Sequence, residues 1–442
     1  METPAMDSSV VGKAAVRRVT TVLIPFLMFC YLVSFIDRVN VGFAAFQMNK
    51  DLGLSSSVFG LGGGLFFLSY FLFEVPSNLA MRKYGARRWI ARIMLSWGLI
   101  SGCTAFVTGP YSFYVVRFLL GAAEAGFFPG VILYLTQWFP AENRGRIVSL
   151  FYVAVPLSSF VGSPISASLL GLEGMGGLHG WQWLFIIEAI PAVLLAAVTF
   201  FWLPEGPADA RWLADDQKRW LSARLEAERR LQEETAPVRE RRTWRVLMHP
   251  QVLLLSLVYA GTSAASNGLS LWQPQILKSF GLTNAQTGWL NSLPFAIASI
   301  AMIWWGNRSD RTGERVASTA IPLALSACAL GACLFMTQLA PTVMFLVLTL
   351  VGTYAFKGPF WALSTERLGP EASAAGLAQI NAVGNLAGFG GTFLIGVIRD
   401  ATGSYALALA PVLVLQLMGF VLLMATRRHR APAASSGPAG LH

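Results

Sequence analysis

Charged residues are scarce in this sequence. Only 13% of its 442 residues are Asp, Glu, Lys or Arg, whereas 55% are hydrophobic, and ordinary soluble domains carry about 25% charged residues. The mean hydropathy is +0.55. This composition excludes an ordinary soluble domain and indicates a protein that crosses the membrane several times.

Residues that bind metals or form disulfides are also few. The chain has four cysteines and four histidines. All the cysteines fall inside long apolar runs, so a disulfide framework is not expected, and all the histidines fall outside them. We therefore predict no metal site, no histidine proton relay and no cofactor other than a coupling proton.

An enzymatic function is not predicted. The sequence contains no pairing of a nucleophile with a base and no phosphate-binding glycine loop. Its glycine cluster, Gly60 to Phe66 ("GLGGGLF"), lies within an apolar run and is typical of close helix packing.

Twelve apolar runs have the length that a helix needs to cross a bilayer, about 20 residues. Runs this long, without strict alternation, indicate helices, since a helix satisfies its own backbone in lipid. The fold class is therefore predicted as an all-α membrane protein with twelve transmembrane helices. The predicted spans are about 19–46, 58–79, 88–108, 112–136, 146–170, 183–203, 251–273, 286–306, 316–338, 342–364, 373–397 and 404–426.

The positions of the basic residues predict the orientation. Of 33 lysines and arginines, only Lys50, Lys278 and Arg399 fall on one side of the predicted membrane and four fall within spans, so the remaining 26 lie on the other side. Basic residues concentrate on the cytoplasmic side, so both termini are predicted to be cytoplasmic. The net charge of +10 then reflects topology and not nucleic-acid binding. No cleavable signal peptide is predicted.

One long hydrophilic stretch divides the chain. We predict a cytoplasmic N-terminus (1–18), a first bundle (19–203), a cytoplasmic linker (204–250), a second bundle (251–426) and a disordered tail (427–442). Acidic residues at the start of "LADDQKRWLSARLEAERRLQEE", followed by Arg and Leu at helical spacing, predict an amphipathic helix in the linker.

A loop motif carries the first family resemblance. The stretch "GNRSDRTGER", Gly306 to Arg315, matches the G-x-x-x-D-R-x-G-x-R signature of the major facilitator superfamily. That resemblance implies gating roles for Asp310 and Arg311. The corresponding loop in the first half, "NLAMRKYGARR", has Asn78 and Arg82 in place of the first glycine and the acid, so a symmetric latch is not predicted.

Three further segments, "FIDRVNVGFAA", "FFLSYFLFEVPSN" and "RFLLGAAEAGFFPGVILYLTQWFP", make the resemblance narrower. They resemble the anion:cation symporter family of that superfamily, and most closely the bacterial tartrate, sugar-acid and phthalate permeases. The resemblance implies two six-helix bundles around a central cavity, and alternating access in the bacterial inner membrane. It leaves the substrate open.

Four charged residues lie deep within the predicted spans: Asp37, Arg38, Arg117 and Glu124. A charge near the bilayer centre costs about 2.5 to 3.5 kcal/mol on insertion scales, so it normally faces a cavity and has a partner. Adjacent helical residues point about 100° apart, so Asp37 and Arg38 need partners on other helices. We predict that all four face one cavity; a purely structural network of ion pairs is the alternative.

The family resemblance assigns roles to these residues. It implies that Glu124 is the main proton carrier, with Asp37 assisting and paired to Arg117; whether Asp37 titrates is left open. Arg38 is predicted to bind the substrate carboxylate through its planar guanidinium group, whose N–H donors form a fork that matches the two carboxylate oxygens. Arg117 is the second choice for this role. Tyr70 is predicted to offer its hydroxyl to the substrate.

The second half supplies uncharged candidates. Gln273 and Asn385 are predicted to bind substrate hydroxyls, with Asn381 behind them and Trp272 as either a site residue or an interfacial anchor. The embedded Glu74, Glu188 and Lys357 are interpreted as structural. Because the seventh span has no arginine, a second cationic subsite in this half is not predicted.

The predicted function is proton-coupled symport of a hydroxylated carboxylate such as tartrate or a sugar acid. An aromatic acid of the phthalate or hydroxyphenylacetate type is the alternative substrate, and a non-transporting sensor is the alternative class. The predicted partners are a small organic anion, a proton and the bilayer. A monomer is adequate for this architecture, and the proton stoichiometry is left open.

Overall fold

The computed structural model describes residues 8–234 and 248–428, and within these ranges the secondary structure is helical. Fourteen α-helices are present there, with four short 3-10 turns between them. The first half and linker contain α1 (Ser8–Asp51), α2 (Ser56–Tyr84), α3 (Ala86–Cys103), α4 (Pro110–Glu124), α5 (Phe127–Thr136), α6 (Ala141–Tyr152), α7 (Ala154–Leu169), α8 (Gly180–Trp202) and α9 (Asp215–Glu234). The second half contains α10 (Pro250–Lys278), α11 (Asn284–Thr312), α12 (Arg315–Cys333), α13 (Leu339–Thr402) and α14 (Tyr405–Arg428).

Within residues 8–234 and 248–428, twelve segments are long and apolar enough to cross a membrane, which confirms the predicted fold class. The fourth span consists of α4 and α5, the fifth of α6 and α7, and α13 contains the tenth and eleventh. The spans are Val10–Asp51, Ser56–Tyr84, Ala86–Phe106, Pro110–Thr136, Ala141–Leu172, Gly180–Trp202, Pro250–Lys278, Asn284–Thr312, Arg315–Cys333, Leu339–Leu368, Ala375–Thr402 and Tyr405–Ala425.

We call the end of the bundle where the first span begins and the twelfth ends the terminal face, and the opposite end the far face. The linker helix α9 packs at the terminal face, where Trp220 fills the space beside Gly12 of the first span. Arg144, at the start of the fifth span, forms an ion pair with Glu228 of α9 at 2.9 Å. The amphipathic helix predicted in the linker is therefore present and attached to the first half.

The two halves are in close contact toward the far face. Glycines allow this approach, because an added Cβ would lie within 3 Å of the opposite backbone. The contacts join three pairs of spans: first to seventh (Gly42 with the Leu271 carbonyl), second to eleventh (Gly396 with the Ser56 carbonyl) and fifth to eighth (Gly288 with the Ser163 carbonyl). The far face is thus closed in this conformation.

Asp400 joins the two halves at the far face. Its carboxylate, at the end of the eleventh span, accepts hydrogen bonds from the backbone N–H groups of Ser56 (2.9 Å) and Ser57 (2.7 Å). These are the unpaired donors at the start of the second span, and the positive end of that helix dipole favours an anion there. Asp400 therefore stabilises the closed far face.

We expect Asp400→Ala to shift the protein toward conformations with an open far face. Loss of such a helix cap costs about 1 kcal/mol, equivalent to roughly a fivefold change in the ratio of closed to open molecules. Spin labels at the exposed positions Tyr111 and Ala285 would report the change as longer distances. The control is Asp51→Ala, since Asp51 accepts from Trp181 within the same half; equal shifts in both variants would contradict the role of Asp400.

Candidate functional site

The centre of the site is an ion pair between the first and fourth spans. Arg38 donates from Nε (2.9 Å) and Nη2 (2.7 Å) to the same oxygen, Oε1, of Glu124. Ser34, one helical turn before Arg38, donates to that oxygen at 3.0 Å. The second carboxylate oxygen, Oε2, is buried and has no hydrogen-bond partner among the residues that the structure describes. All the bonds that hold this carboxylate therefore end on one oxygen.

A break in the fourth span places Glu124. The helix α4 ends at this residue, Ala125 leaves the helical conformation with ψ 131°, and Gly126 has φ +87°. Only glycine adopts this backbone readily, and an added Cβ would lie 2.3 Å from Ser77 Oγ. Glu124 thus sits at the negative end of a helix dipole, and Arg38 is the cation that balances it.

Aromatic rings surround the guanidinium of Arg38. Its Cζ lies 4.4 Å from the ring centroid of Phe35, 5.1 Å from Tyr70 and 5.2 Å from Phe66. The Arg38 side chain keeps 17% of its surface accessible, whereas Glu124 keeps 1%. The guanidinium side of the pair therefore keeps accessible surface that the carboxylate side lacks. Tyr70 lies beside Arg38, and its predicted hydrogen bond to the substrate stays a prediction.

Asp37 lies in a different place from Arg38. It is 2% exposed and accepts hydrogen bonds from Trp97 Nε1 and from Ser101 Oγ (2.9 Å), both on the third span. Asn40 Nδ2 donates to it at 3.3 Å. Asp37 and Arg117 interact electrostatically, but the predicted ion pair between them is not among those formed by the described residues in this conformation. That all four charges face one cavity stays a prediction. The 100° between neighbouring residues turns Asp37 into the first bundle.

Arg117 is 2% exposed, and its Nε and Nη1 have no hydrogen-bond partner. Its guanidinium carbon lies 5.1 Å from the ring centroid of Phe66, and Phe66 also touches Arg38. Arg117 is therefore a second buried cation near the Arg38–Glu124 pair. It interacts electrostatically with Glu124 and Asp37, although it forms no ion pair within 4 Å among the described residues. Its predicted part in substrate binding stays a prediction.

In the second half, Gln273 is fully buried and neither of its amide atoms has a partner. Asn385 Nδ2 is likewise without one. Asn381 donates to Glu74 of the second span at 3.2 Å and so joins the two halves. Trp272 is buried and donates to the Thr392 carbonyl at 3.1 Å within the second half. Its ring lies 5.3 Å from that of Phe59 in the first half, so it lies in the contact between the halves and not at an interface with lipid headgroups.

The predicted gating residues lie at the terminal face. Asp310 pairs with Arg315 at 2.7 Å, and Arg315 pairs with Glu366 of the tenth span at 3.0 Å. Arg311 lines a shallow surface pocket beside Trp304. These ion pairs connect elements of the second half with each other. The gating roles of Asp310 and Arg311 stay predictions.

Sequence reasoning missed four polar partners at this site, one of which, Asn40, lies three residues after Asp37 on the same helix. Ser34 lies four residues before Arg38, so helical spacing could have identified it as a neighbour on the same face. Trp97 and Ser101 are also four apart, on a span with few other polar side chains. Nothing in the sequence alone indicates that they meet Asp37.

Comparison with known proteins identifies the family. The sequence profile of the Major Facilitator Superfamily matches residues 27–392, which is well over half of the chain. The chain belongs to the major facilitator superfamily. It is therefore a membrane transporter and not an enzyme, as predicted from the loop motif and the spans.

Relatives and solved structures agree with this assignment. An Agrobacterium vitis protein named "Putative tartrate transporter" is 45% identical over 96% of this chain and 94% of its own length. A quinolone resistance transporter of Acinetobacter baumannii is 42% identical over 93% of this chain and 94% of its own length. The inward-facing, unoccupied structure of a bacterial homologue of the human lysosomal transporter Spinster matches with a TM-score of 0.75 at 16% identity, covering 98% of this chain and all of the other. The last comparison supports the fold alone.

Proposed function

We propose that this transporter couples the inward movement of a proton to that of an organic carboxylate, such as tartrate or a sugar acid. The observation that carries the proposal is the Arg38–Glu124 pair. Arg38 is accessible and its fork suits a carboxylate, while the one acid that occupies the fork is buried. The tartrate name of close relatives supports the substrate class.

The coupling follows from competition for one guanidinium. When Glu124 is ionised, it occupies Nε and Nη2 of Arg38 and leaves the fork unavailable to a substrate. A proton on Glu124 removes its charge and weakens the pair, so the fork can bind a substrate carboxylate. Release of that proton on the opposite side of the membrane restores the pair and displaces the substrate.

The direction of transport rests on the orientation. The excess of basic residues at the terminal face supports a cytoplasmic location for that face, and bacterial relatives support the inner membrane. With the far face closed and the Arg38–Glu124 pair formed, the observed conformation corresponds to the step after release of proton and substrate into the cell. A monomer contains every residue that this scheme needs.

Uptake of radiolabelled tartrate into proteoliposomes tests the proposal. With an acidic exterior we expect accumulation above the external concentration, which a protonophore abolishes. For one coupled proton, a difference of one pH unit drives about tenfold accumulation. Absence of accumulation for tartrate, sugar acids and phthalate alike would refute it.

The rings around Arg38 favour a second candidate substrate class. Phe35, Phe66 and Tyr70 could stack on the ring of an aromatic acid such as phthalate or hydroxyphenylacetate. A ligand that binds the folded state raises its apparent stability, so thermal-shift titrations with tartrate and phthalate separate the classes. A larger increase in the melting temperature with phthalate than with tartrate would favour an aromatic acid as the substrate.

A further inference from the structure

A buried lysine in the second half lacks an anionic partner. Lys357, on the tenth span, is 5% exposed. Its Nζ lies 4.5 Å from the ring centroid of Tyr354 and 5.5 Å from that of Tyr152. Among the residues that the structure describes, no carboxylate lies within ion-pairing distance of this ammonium. Burial of an unpaired charge is unfavourable, and attraction to aromatic faces offsets only part of the lost hydration.

Lys357 lies where the two halves meet. Tyr152 belongs to the fifth span, in the first half, whereas Lys357 belongs to the second half. Tyr152 lies eleven residues from Ala141, the terminal-face end of the fifth span, and Lys357 lies eleven residues from Leu368, the terminal-face end of the tenth. The ammonium therefore lies between the halves. Lys357 is eighteen residues from the far-face end of its span, at Leu339, and Arg38 is thirteen from Asp51, which places Lys357 about 8 Å further toward the terminal face at 1.5 Å per residue.

Aromatic side chains connect this lysine with the Arg38 site. The ring of Phe35, which touches Arg38, packs on Tyr31 with centroids 4.9 Å apart. Tyr31 stacks on Phe128 at 5.4 Å, and Phe128 contacts Tyr152 at 5.7 Å. The two cations thus face one continuous wall of rings that belongs to the first half.

The embedded acid of the second span does not neutralise Lys357. Glu74 instead accepts a hydrogen bond from Asn381 at 3.2 Å. The sequence-based interpretation of Lys357 as structural, which assumed pairing or a head group extended into water, is therefore not supported. The sequence predicted no cationic subsite in this half because the seventh span has no arginine. The buried cation is instead Lys357, which lies on the tenth span.

We infer that Lys357 binds the second carboxylate of a dicarboxylate whose first carboxylate binds Arg38. The inference rests on the proposed function and narrows it to dianions such as tartrate or phthalate over monocarboxylate sugar acids. A dianion would bridge a cation of the first half and a cation of the second. It would therefore favour closure of the halves around itself, which a monoanion cannot do equally well.

The test compares each dianion with a monoanion of nearly the same shape. Binding of tartrate and its monoamide, and of phthalate and its monoamide, is measured on the purified full-length protein by competition and thermal shift. We expect the wild type to bind at least one dianion more tightly than its monoamide. Lys357→Met should weaken the binding of that dianion roughly tenfold or more, as loss of a charge-assisted hydrogen bond predicts. The affinity for the monoamide should be nearly unchanged.

Two variants control for structural effects. Lys357→Arg keeps the charge and should retain most of the preference for the dianion. Lys278→Met makes the same chemical change at the far face, where Lys278 donates to Asn284, and should leave the preference intact.

Equal binding of dianion and monoamide by the wild type would overturn the inference without any variant. Equal weakening of both ligands by Lys357→Met would also overturn it and assign the lysine a structural role. If the wild type bound no carboxylate at all, the proposed function would fail together with the inference.

Discussion

Glu124→Gln is expected to abolish accumulation driven by a pH gradient while leaving exchange of substrate across the membrane largely intact. The amide cannot carry a proton, so the competition between Glu124 and the substrate for Arg38 no longer depends on pH. It also carries no charge, so it holds the Arg38 fork less strongly than the carboxylate does. Substrate can then bind at any pH, and its distribution should approach equality on the two sides.

Two assays on the same proteoliposomes separate these effects. Accumulation under a difference of one pH unit should fall from about tenfold, as expected for one coupled proton, to about one. Counterflow of labelled substrate against an unlabelled internal pool should persist. Unchanged uphill uptake would contradict the role of Glu124 as proton carrier.

Glu188→Gln is the matched control for this variant. Glu188, on the sixth span, is another buried acid, and it accepts a hydrogen bond from Ser166 at 2.7 Å. It has no ion pair with Arg38, whose fork is occupied by Glu124. We expect this variant to retain accumulation. A loss as complete as that of Glu124→Gln would indicate that any buried acid is needed, and not this one in particular.

The twelve spans could be predicted because they depend on composition alone. A run of apolar residues of the right length must form a helix in lipid, whichever neighbours it has. The same rule of burial cost identified Arg38 and Glu124 as residues that need partners. In the structure these two residues are each other's partners.

The pairing among the charges could not be predicted, because it depends on which helices are neighbours. Asp37 and Arg38 are adjacent in sequence, yet one contacts the third span and the other contacts the fourth. Helical geometry gives the angle between them but not the helix that each one meets. This missing information is why the predicted Asp37–Arg117 ion pair is not among those formed by the described residues, and why the aromatic neighbours of Lys357 could not be predicted.

Arg38→Ala is expected to remove high-affinity substrate binding. The variant deletes the fork that the substrate carboxylate needs, and it also leaves Glu124 buried without its cation. Loss of one partner of a buried pair costs about 3 to 5 kcal/mol, so part of the effect should be on folding. We therefore expect lower thermal stability. We also expect a loss of affinity of at least about 100-fold, because two hydrogen bonds to a charged group contribute about 1.5 kcal/mol or more each and each 1.4 kcal/mol corresponds to a factor of ten.

The double variant Arg38→Ala with Glu124→Gln separates binding from folding. It removes both charges of the pair, so the unpaired carboxylate no longer destabilises the fold, and stability should recover toward that of the wild type. Affinity should not recover, since the fork is still absent. A double variant that bound substrate normally would move the carboxylate site to Arg117, which is buried, has unpartnered nitrogens and contacts the same Phe66 ring as Arg38.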